Sequence, residues 1–207
     1  MLTLYYSPQS CALASHIALE EAGAEYDSVL VDFNSNEQRN PNFLAINPKG
    51  RVPALVTDGG VLTETPAVLA YIAQRFPDAQ LAPIYDPFAF GRVQEFNSYL
   101  CSTVHVNHAH GGRAARWADD PIAIAELRRK MPETVLAAFQ LIEGEFLKGP
   151  WVTGNQFTIC DAYLFTVALW LERDSIEPET QLPRVAEHRR RVHDRRSVKT
   201  VMAWHSR

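Results

Sequence analysis

Four places in the 207-residue chain combine residue types that can do chemistry. Cys11 follows a β-rich run (2–6) and a Ser7-Pro8 turn, at the start of a helical run. Unpartnered N–H groups and the helix dipole give positive potential there, which lowers a thiol pKa and favours a bound anion. The plainer alternative is a small buried apolar residue. Cys101 and Cys160 sit inside helical patterns and are assigned to the core. There is no CxxC pair, since Pro8 and Ala14 stand three residues either side of Cys11. A dithiol mechanism is therefore disfavoured, while exchange with an external thiol stays open.

Val52-Pro53 is the second place. A proline heading a β-run cannot donate to a ladder, so an edge position or a cis bond is expected. A cis bond would leave the backbone of Val52 free to pair with an extended peptide. Glu64-Thr65 is the third, joining a short strand to a helix N-terminus. It is either a simple cap or a corner that takes a carboxylate on the helix amides and an ammonium on Glu64. The fourth is His105, His108 and His110. Their spacing, with no carboxylate before Asp119, argues against zinc. A histidine facing a cleft and a polar surface or core residue both remain open. His16 lies more than one helical turn past Cys11, so an ion pair between them is not assured. No GxGxxG, P-loop, GxSxG or HExxH pattern occurs, so dinucleotide enzymes, NTPases, α/β-hydrolases and zincins lack support.

The elements that must hold these residues change character along the chain. Residues 1–78 mix strands (2–6, 26–33, 51–58, 61–64) with helices (11–23, 64–76) and a polar connection (34–50). Gly23 reads as a residue just past a helix end, Gly59-Gly60 as a hairpin turn, and Thr65 as a cap with Pro66 in the first turn. The order predicts a parallel pair plus antiparallel partners. Three prolines within 77–87 mark a linker, with 79–87 as the boundary. Helices are expected at 88–110, 121–147, 158–172, 183–194 and 197–205. Thr158 and Asp161 form an Asp version of the capping box, a structural device at the head of a core helix.

Composition narrows the class. Hydrophobic residues make up 46% and charged residues 21%, an ordinary globular balance. Three cysteines cannot make a disulfide framework and suit a reducing compartment. The first residues lack the pattern of a signal peptide, and no stretch reaches the roughly 18 apolar residues of a membrane span, so a cytoplasmic location is expected. Net charge is -4. The basic stretch 184–207 lacks interleaved aromatics and reads as solvated helix faces, so no nucleic-acid or membrane partner is expected.

In this order and spacing, SPQSCALASHIALEE (7–21), INPKGRVPAL (46–55), TETPAVLAYIAQRF (63–76) and FTICDAYLF (157–165) resemble the cytosolic glutathione S-transferases. The likeness covers essentially the whole chain and is greatest to the bacterial beta class, which carries a cysteine at the position of Cys11. The resemblance implies an α/β thioredoxin-like N-terminal domain (1–78) and an all-α C-terminal helical domain (88–207), assembled as a homodimer. It implies glutathione as co-substrate, no metal, and a small hydrophobic electrophile. Val52, before cis-Pro53, would pair with the cysteinyl unit of glutathione. Glu64 and Thr65 would hold its γ-glutamyl end, and Lys49 and Arg51 would lie near the tripeptide. Cys11 would sit beside the glutathione sulfur and His105 would line the interdomain cleft. His108, Arg113 and Trp117 would join an apolar wall for the electrophile. Two departures stand out. Ala12 occupies a position where many members have a hydroxyl, for which Ser10 is the available substitute. Ser98, next to Asn97, falls where some members use an asparagine in the partner's cleft. The leading expectation is thiolate stabilisation and conjugation. About two pK units of thiolate stabilisation amount to about 2.7 kcal/mol. The alternatives are a glutathione-dependent disulfide reductase using Cys11, and a scaffold or ligand carrier without turnover.

Overall fold

A computed structural model describes residues 1–205. Arg207, counted in the basic C-terminal stretch, lies outside the described residues. A four-stranded sheet comes first, with order β2-β1-β3-β4. Strand β1 (Leu2–Tyr6) runs parallel to β2 (Tyr26–Leu30). It runs antiparallel to β3 (Ala54–Thr57), which turns at Gly59-Gly60 into β4 (Gly60–Thr63). Leu2, Leu4 and Tyr6 alternate inward from the central strand, while β2 and β4 are mostly exposed edges.

Between β1 and β2 lies α1 (Ala12–Glu21), whose residues from Ala12 to Leu19 are all buried. Apolar or small residues all round this helix are explained by its place between two layers. One side meets the sheet domain and the other meets α7 (Ile159–Ala168) and α10 (Arg196–His205). Gly23 takes a left-handed φ of 61° just past α1, as its position suggests. The polar segment 34–50 contains a turn of 3₁₀ helix and the short α2 (Pro41–Ile46). Gly50 closes it at φ 60°, and a Cβ there would meet the Gln38 carbonyl oxygen at 2.8 Å.

After α3 (Thr65–Arg75) and the proline-rich linker, the described residues contain no further strand of the sheet. The expected helix 88–110 is two helices, α4 (Pro87–Tyr99) and α5 (His105–Gly112), joined by a π-helical turn at Leu100–Val104. A π turn inserts a residue into the helical register and rotates the next helix about its axis, commonly near functional sites. The expected helix 121–147 is α6 (Pro121–Leu141) ending in a second π turn, Ile142–Phe146. The short α8 (Pro178–Gln181) precedes α9 (Pro183–His193). Every residue of α7 is buried, and its Asp161 carboxylate is a hub. It accepts from the Thr158 N–H at 2.7 Å, the Val152 N–H at 2.8 Å and His188 Nε2 at 2.9 Å. One continuous hydrophobic core runs through both domains.

Candidate functional site

The strand-to-helix turn after β1 positions Cys11. Gln9 takes the left-handed region at φ 56°, and Cys11 stands at the N-cap of α1. The Ser10 hydroxyl donates to the Ser7 carbonyl at 2.7 Å and accepts from the Ala12 N–H at 3.3 Å. In this structure the Ser10 proton is directed into the turn. Trp170, just beyond α7, donates its Nε1–H to the Gln9 carbonyl at 3.1 Å. The helical domain thereby fixes the loop that carries the cysteine.

The Val52–Pro53 peptide is cis. The Cys11 thiol donates to the Val52 carbonyl at 3.4 Å, across 41 residues of sequence. The Asn47 side chain shapes the approach to Val52. Its Nδ2 donates to the Arg51 carbonyl at 2.6 Å and its Oδ1 accepts from the Lys49 N–H at 3.2 Å. Opposite, Glu64 holds a left-handed φ of 71° at the N-cap of α3 and makes no side-chain cap. The expectation that Thr65 caps α3 is corrected: Thr65 is already helical, and Glu64 takes the strained cap position. That strain frees the Glu64 carboxylate to pair with Lys49 Nζ, which also donates to Thr63 Oγ1 at 2.6 Å. Strain of order 1–3 kcal/mol persists where a site requires it.

Cys11, Asn47, Arg51, Val52, Pro53, Glu64 and Thr65 meet in one cleft of about 830 Å³ between the domains, lined also by His105, Tyr163 and Arg113, while Lys49 stays outside its lining. Ligand pockets typically enclose roughly 300–1,000 Å³. A second groove of about 880 Å³ runs between the linker and α4, but no cysteine or histidine lines it.

Electrostatics in the cleft differ from the simplest expectation. Burial pushes the Cys11 thiol up, and outweighs the lowering by Thr65 and Arg113. The helix terminus therefore does not make Cys11 an anion; desolvation keeps it a neutral thiol. Burial first, then His108 and three arginines, lowers His105 to about 4, so its imidazole is uncharged at neutral pH. His105 packs on Trp170 with ring centres 5.0 Å apart. His108 stacks on the same indole at 4.5 Å and bonds Asp174 Oδ2 at 2.6 Å.

Cys160 is fully buried, but Cys101 is half-buried on the π turn and lines the cleft, which corrects its assignment to the core. His110 packs against Trp117 outside this group. His16 faces His205 instead of Cys11, with Nδ1 and Nε2 3.1 Å apart. Asn97 is buried and Ser98 is exposed on α4. Among the described residues no cluster could hold a metal ion. The electrophile wall expected to be apolar is strongly cationic, with Arg113, Arg116, Arg128 and Arg173 alongside Trp117 and Met131.

Several cleft residues carry no sequence signal of their own. Tyr163 hides in an apolar helix, yet its buried hydroxyl lies beside Thr65, Cys11 and Cys101, and burial pushes its pKa well up. Trp170 and Asp174 are likewise missed. An aromatic directly after a core helix was the available clue to Trp170.

Residues 1–74 match the family model "Glutathione S-transferase, N-terminal domain", and residues 123–191 match "Glutathione S-transferase, C-terminal domain". The chain belongs to the glutathione S-transferase family. This transferase-family chain is 32% identical over 205 residues to glutathione S-transferase GstA of Escherichia coli O157:H7, covering 98% of both. A Sulfitobacter glutathione transferase homolog solved with bound glutathione superposes with a TM-score of 0.94 at 41% identity, covering 99% of this chain and 98% of that one. The beta class enzyme of Sphingomonas chungbukensis superposes at 0.86 with 32% identity over 98% of each chain. The thioredoxin-like sheet domain followed by a helical domain is the fold of this family, and the beta-class likeness in the sequence extends to the structure.

Proposed function

We propose that this protein is a glutathione transferase that binds glutathione in the interdomain cleft, stabilises its thiolate and couples it to small electrophiles. The observation that carries this is the Cys11 sulfur at 3.4 Å from the Val52 carbonyl, in one cleft with the Glu64–Thr65 corner. In this assignment the backbone of Val52, beside Pro53, pairs with the cysteinyl unit. The first amides of α3 at Thr65 take the γ-glutamyl carboxylate, and Glu64 takes the ammonium. Lys49 and Arg51 flank the tripeptide. Cys11, a neutral thiol, turns from the Val52 carbonyl to donate to the glutathione sulfur. The glutathione thiol releases its proton to solvent. Its sulfur forms a bond to the electrophilic carbon, and the leaving group departs with the bonding pair. His105 is an uncharged hydrogen-bonding wall at neutral pH.

A second reading has one supporting observation: Cys11 and Cys101 open onto the same cleft. In it, the Cys11 sulfur attacks a glutathionyl disulfide as its proton passes to the departing sulfur, which leaves as a thiol. A second glutathione thiolate then attacks the mixed disulfide, releasing oxidised glutathione and regenerating Cys11. The protein is further proposed to act as a cytoplasmic homodimer. The exposed Tyr85 and Phe88 at the head of α4 supply an apolar surface for the pairing.

Calorimetric titration with glutathione, in two buffers of different ionisation heat, tests the assignment. Binding with proton release at neutral pH supports thiolate stabilisation. Binding without proton release shifts weight to Cys11 disulfide exchange, and absence of binding at millimolar glutathione favours a non-catalytic scaffold.

A further inference from the structure

The arginines of this chain differ in their partners. Arg92, Arg129, Arg189, Arg190, Arg191 and Arg195 each lie within ion-pair distance of a carboxylate. Arg39, Arg51, Arg113 and Arg116 have no carboxylate within that distance among the described residues, and all four line the interdomain cleft. Arg128 and Arg173, also without such a carboxylate, line the same cleft, so six of the nine unneutralised guanidinium groups among the described residues of this protein of net charge -4 gather at one opening. Partial desolvation lowers Arg116, and the neighbouring Arg113, Arg51 and Arg39 lower it further. Like charges gathered without partners store repulsion that an anion relieves.

Glutathione accounts for only part of this charge. In the function proposed above, on which this inference rests, one carboxylate and the ammonium occupy the Glu64–Thr65 corner. One glycyl carboxylate remains. Arg39, which lies against Gly50, and Arg51 are on the sheet domain, the side where the tripeptide lies. Arg113 caps and Arg116 ends a 3₁₀ turn of the helical domain, followed directly by the exposed Trp117. Met131 of α6 completes an apolar strip beside them in the cleft. Their place and their lack of partners leave them for the second substrate.

We propose that the electrophile carries an anionic oxygen group of the carboxylate type, clamped between the Arg113 and Arg116 guanidinium groups, with its apolar body along Trp117 and Met131. Paired guanidinium groups suit a planar carboxylate because their donors form parallel, charge-assisted bonds.

Two matched probes test this. Chlorodinitrobenzene is neutral, and chlorodinitrobenzoate adds a carboxylate to the same reacting centre. In each, glutathione sulfur bonds to the ring carbon and chloride leaves with the bonding pair. Corrected for the uncatalysed rates, kcat/KM is expected to favour the carboxylate by at least about tenfold at low salt, and less at high salt. In Arg113→Ala/Arg116→Ala that ratio falls toward one, and Arg113→Lys/Arg116→Lys retains part of it. Equal kcat/KM for the two probes, or a preference unchanged in the double alanine variant, overturns the proposal. Binding of unreactive dinitrobenzoate against dinitrobenzene, measured by calorimetry, provides the same comparison without turnover. If glutathione fails to bind while dinitrobenzoate binds through Arg113 and Arg116, the transferase assignment falls and the anion site stands. If glutathione binds and the two unreactive probes bind equally, the transferase assignment stands and the anion site falls.

Discussion

Trp170 and Gln9 are 161 residues apart, yet the indole N–H of one donates to the backbone carbonyl of the other at 3.1 Å. This bond ties the loop that carries Cys11 to the helical domain. The same indole packs against His105 and His108. Replacing Trp170 by Phe keeps an aromatic surface and removes the donor. The expected result is a loss of about 1–3 kcal/mol, from the lost bond and the smaller ring. Urea unfolding measures the stability, and calorimetry with glutathione should show weaker binding from a loosened Cys11 loop.

Asp161 offers a larger effect. Its buried carboxylate satisfies two backbone N–H groups, the Thr158 hydroxyl and His188. Asp161→Ala strands all of these inside the core. A loss of about 3–5 kcal/mol is expected, the range for breaking a buried charged network by removing one partner. A urea midpoint within error of the parent protein would show that the hub is dispensable.

Glu64 should separate stability from binding. Its φ of 71° is unfavourable for any residue with a Cβ. Glu64→Gly relieves that conformation, while the Lys49 pair it loses is exposed and contributes little. The variant is expected to gain up to about 1 kcal/mol in thermal stability and to bind glutathione at least about tenfold more weakly. Glu64→Ala, which keeps the strain, should lose the affinity without the gain. Equal melting temperatures for the two variants would refute the account of strain.

The facing histidines predict a pH dependence. Burial, with His205 as a second cause for His16, lowers His16 to about 3, and burial lowers His205 to about 4. Tyr6, Tyr26 and Trp204 surround His16, and the nearby Glu20 carboxylate bonds the Tyr26 hydroxyl. Folded-state values below the ordinary 6.5 mean that the unfolded chain takes up protons first as pH falls. The stability from this neutral pair is complete above pH about 6.5 and is lost progressively down to pH about 4 for His205 and about 3 for His16, at about 1.4 kcal/mol per histidine per pH unit. Urea midpoints at successive pH values should show the slope, and His16→Asn/His205→Asn should flatten it.

Cys11 decides between the two chemistries. As a neutral, half-buried thiol it should react slowly with iodoacetamide at neutral pH. Cys11→Ala should abolish any mixed disulfide detectable by mass spectrometry after exposure to oxidised glutathione. Conjugation that persists in the same variant supports the transferase chemistry. Conjugation lost together with the mixed disulfide would make Cys11 indispensable to both.

Much of the fold was legible because the relevant interactions are local. Alternation in LTLYY, the glycine pair at 59–60 and the Thr158–Asp161 spacing express themselves within a few residues, and each produced the expected element. The Val52–Pro53 and Glu64–Thr65 corners were visible as proline and helix-start chemistry. The features that escaped depend on long-range packing. The π turn at Leu100–Val104 leaves no compositional mark, so Cys101 looked like core. The cap at Glu64 needs a left-handed backbone that its residue type does not announce. Trp170, Tyr163 and Arg116 reach the cleft only because the helical domain folds back over the first strand-helix turn. The thiol of Cys11 obeyed desolvation over the helix dipole, a balance that depends on neighbours the sequence does not rank.

The sandwiched position of α1 also bears on how the chain is made. That helix emerges from the ribosome well before α10, which covers part of it and begins at Arg196, 175 residues after α1 ends at Glu21. At 5–20 residues per second, the interval is roughly ten to forty seconds. Throughout it, the nascent N-terminal domain presents an uncovered apolar helix. A prematurely terminated chain would keep that face bare, making truncated products ready targets for chaperones and proteases.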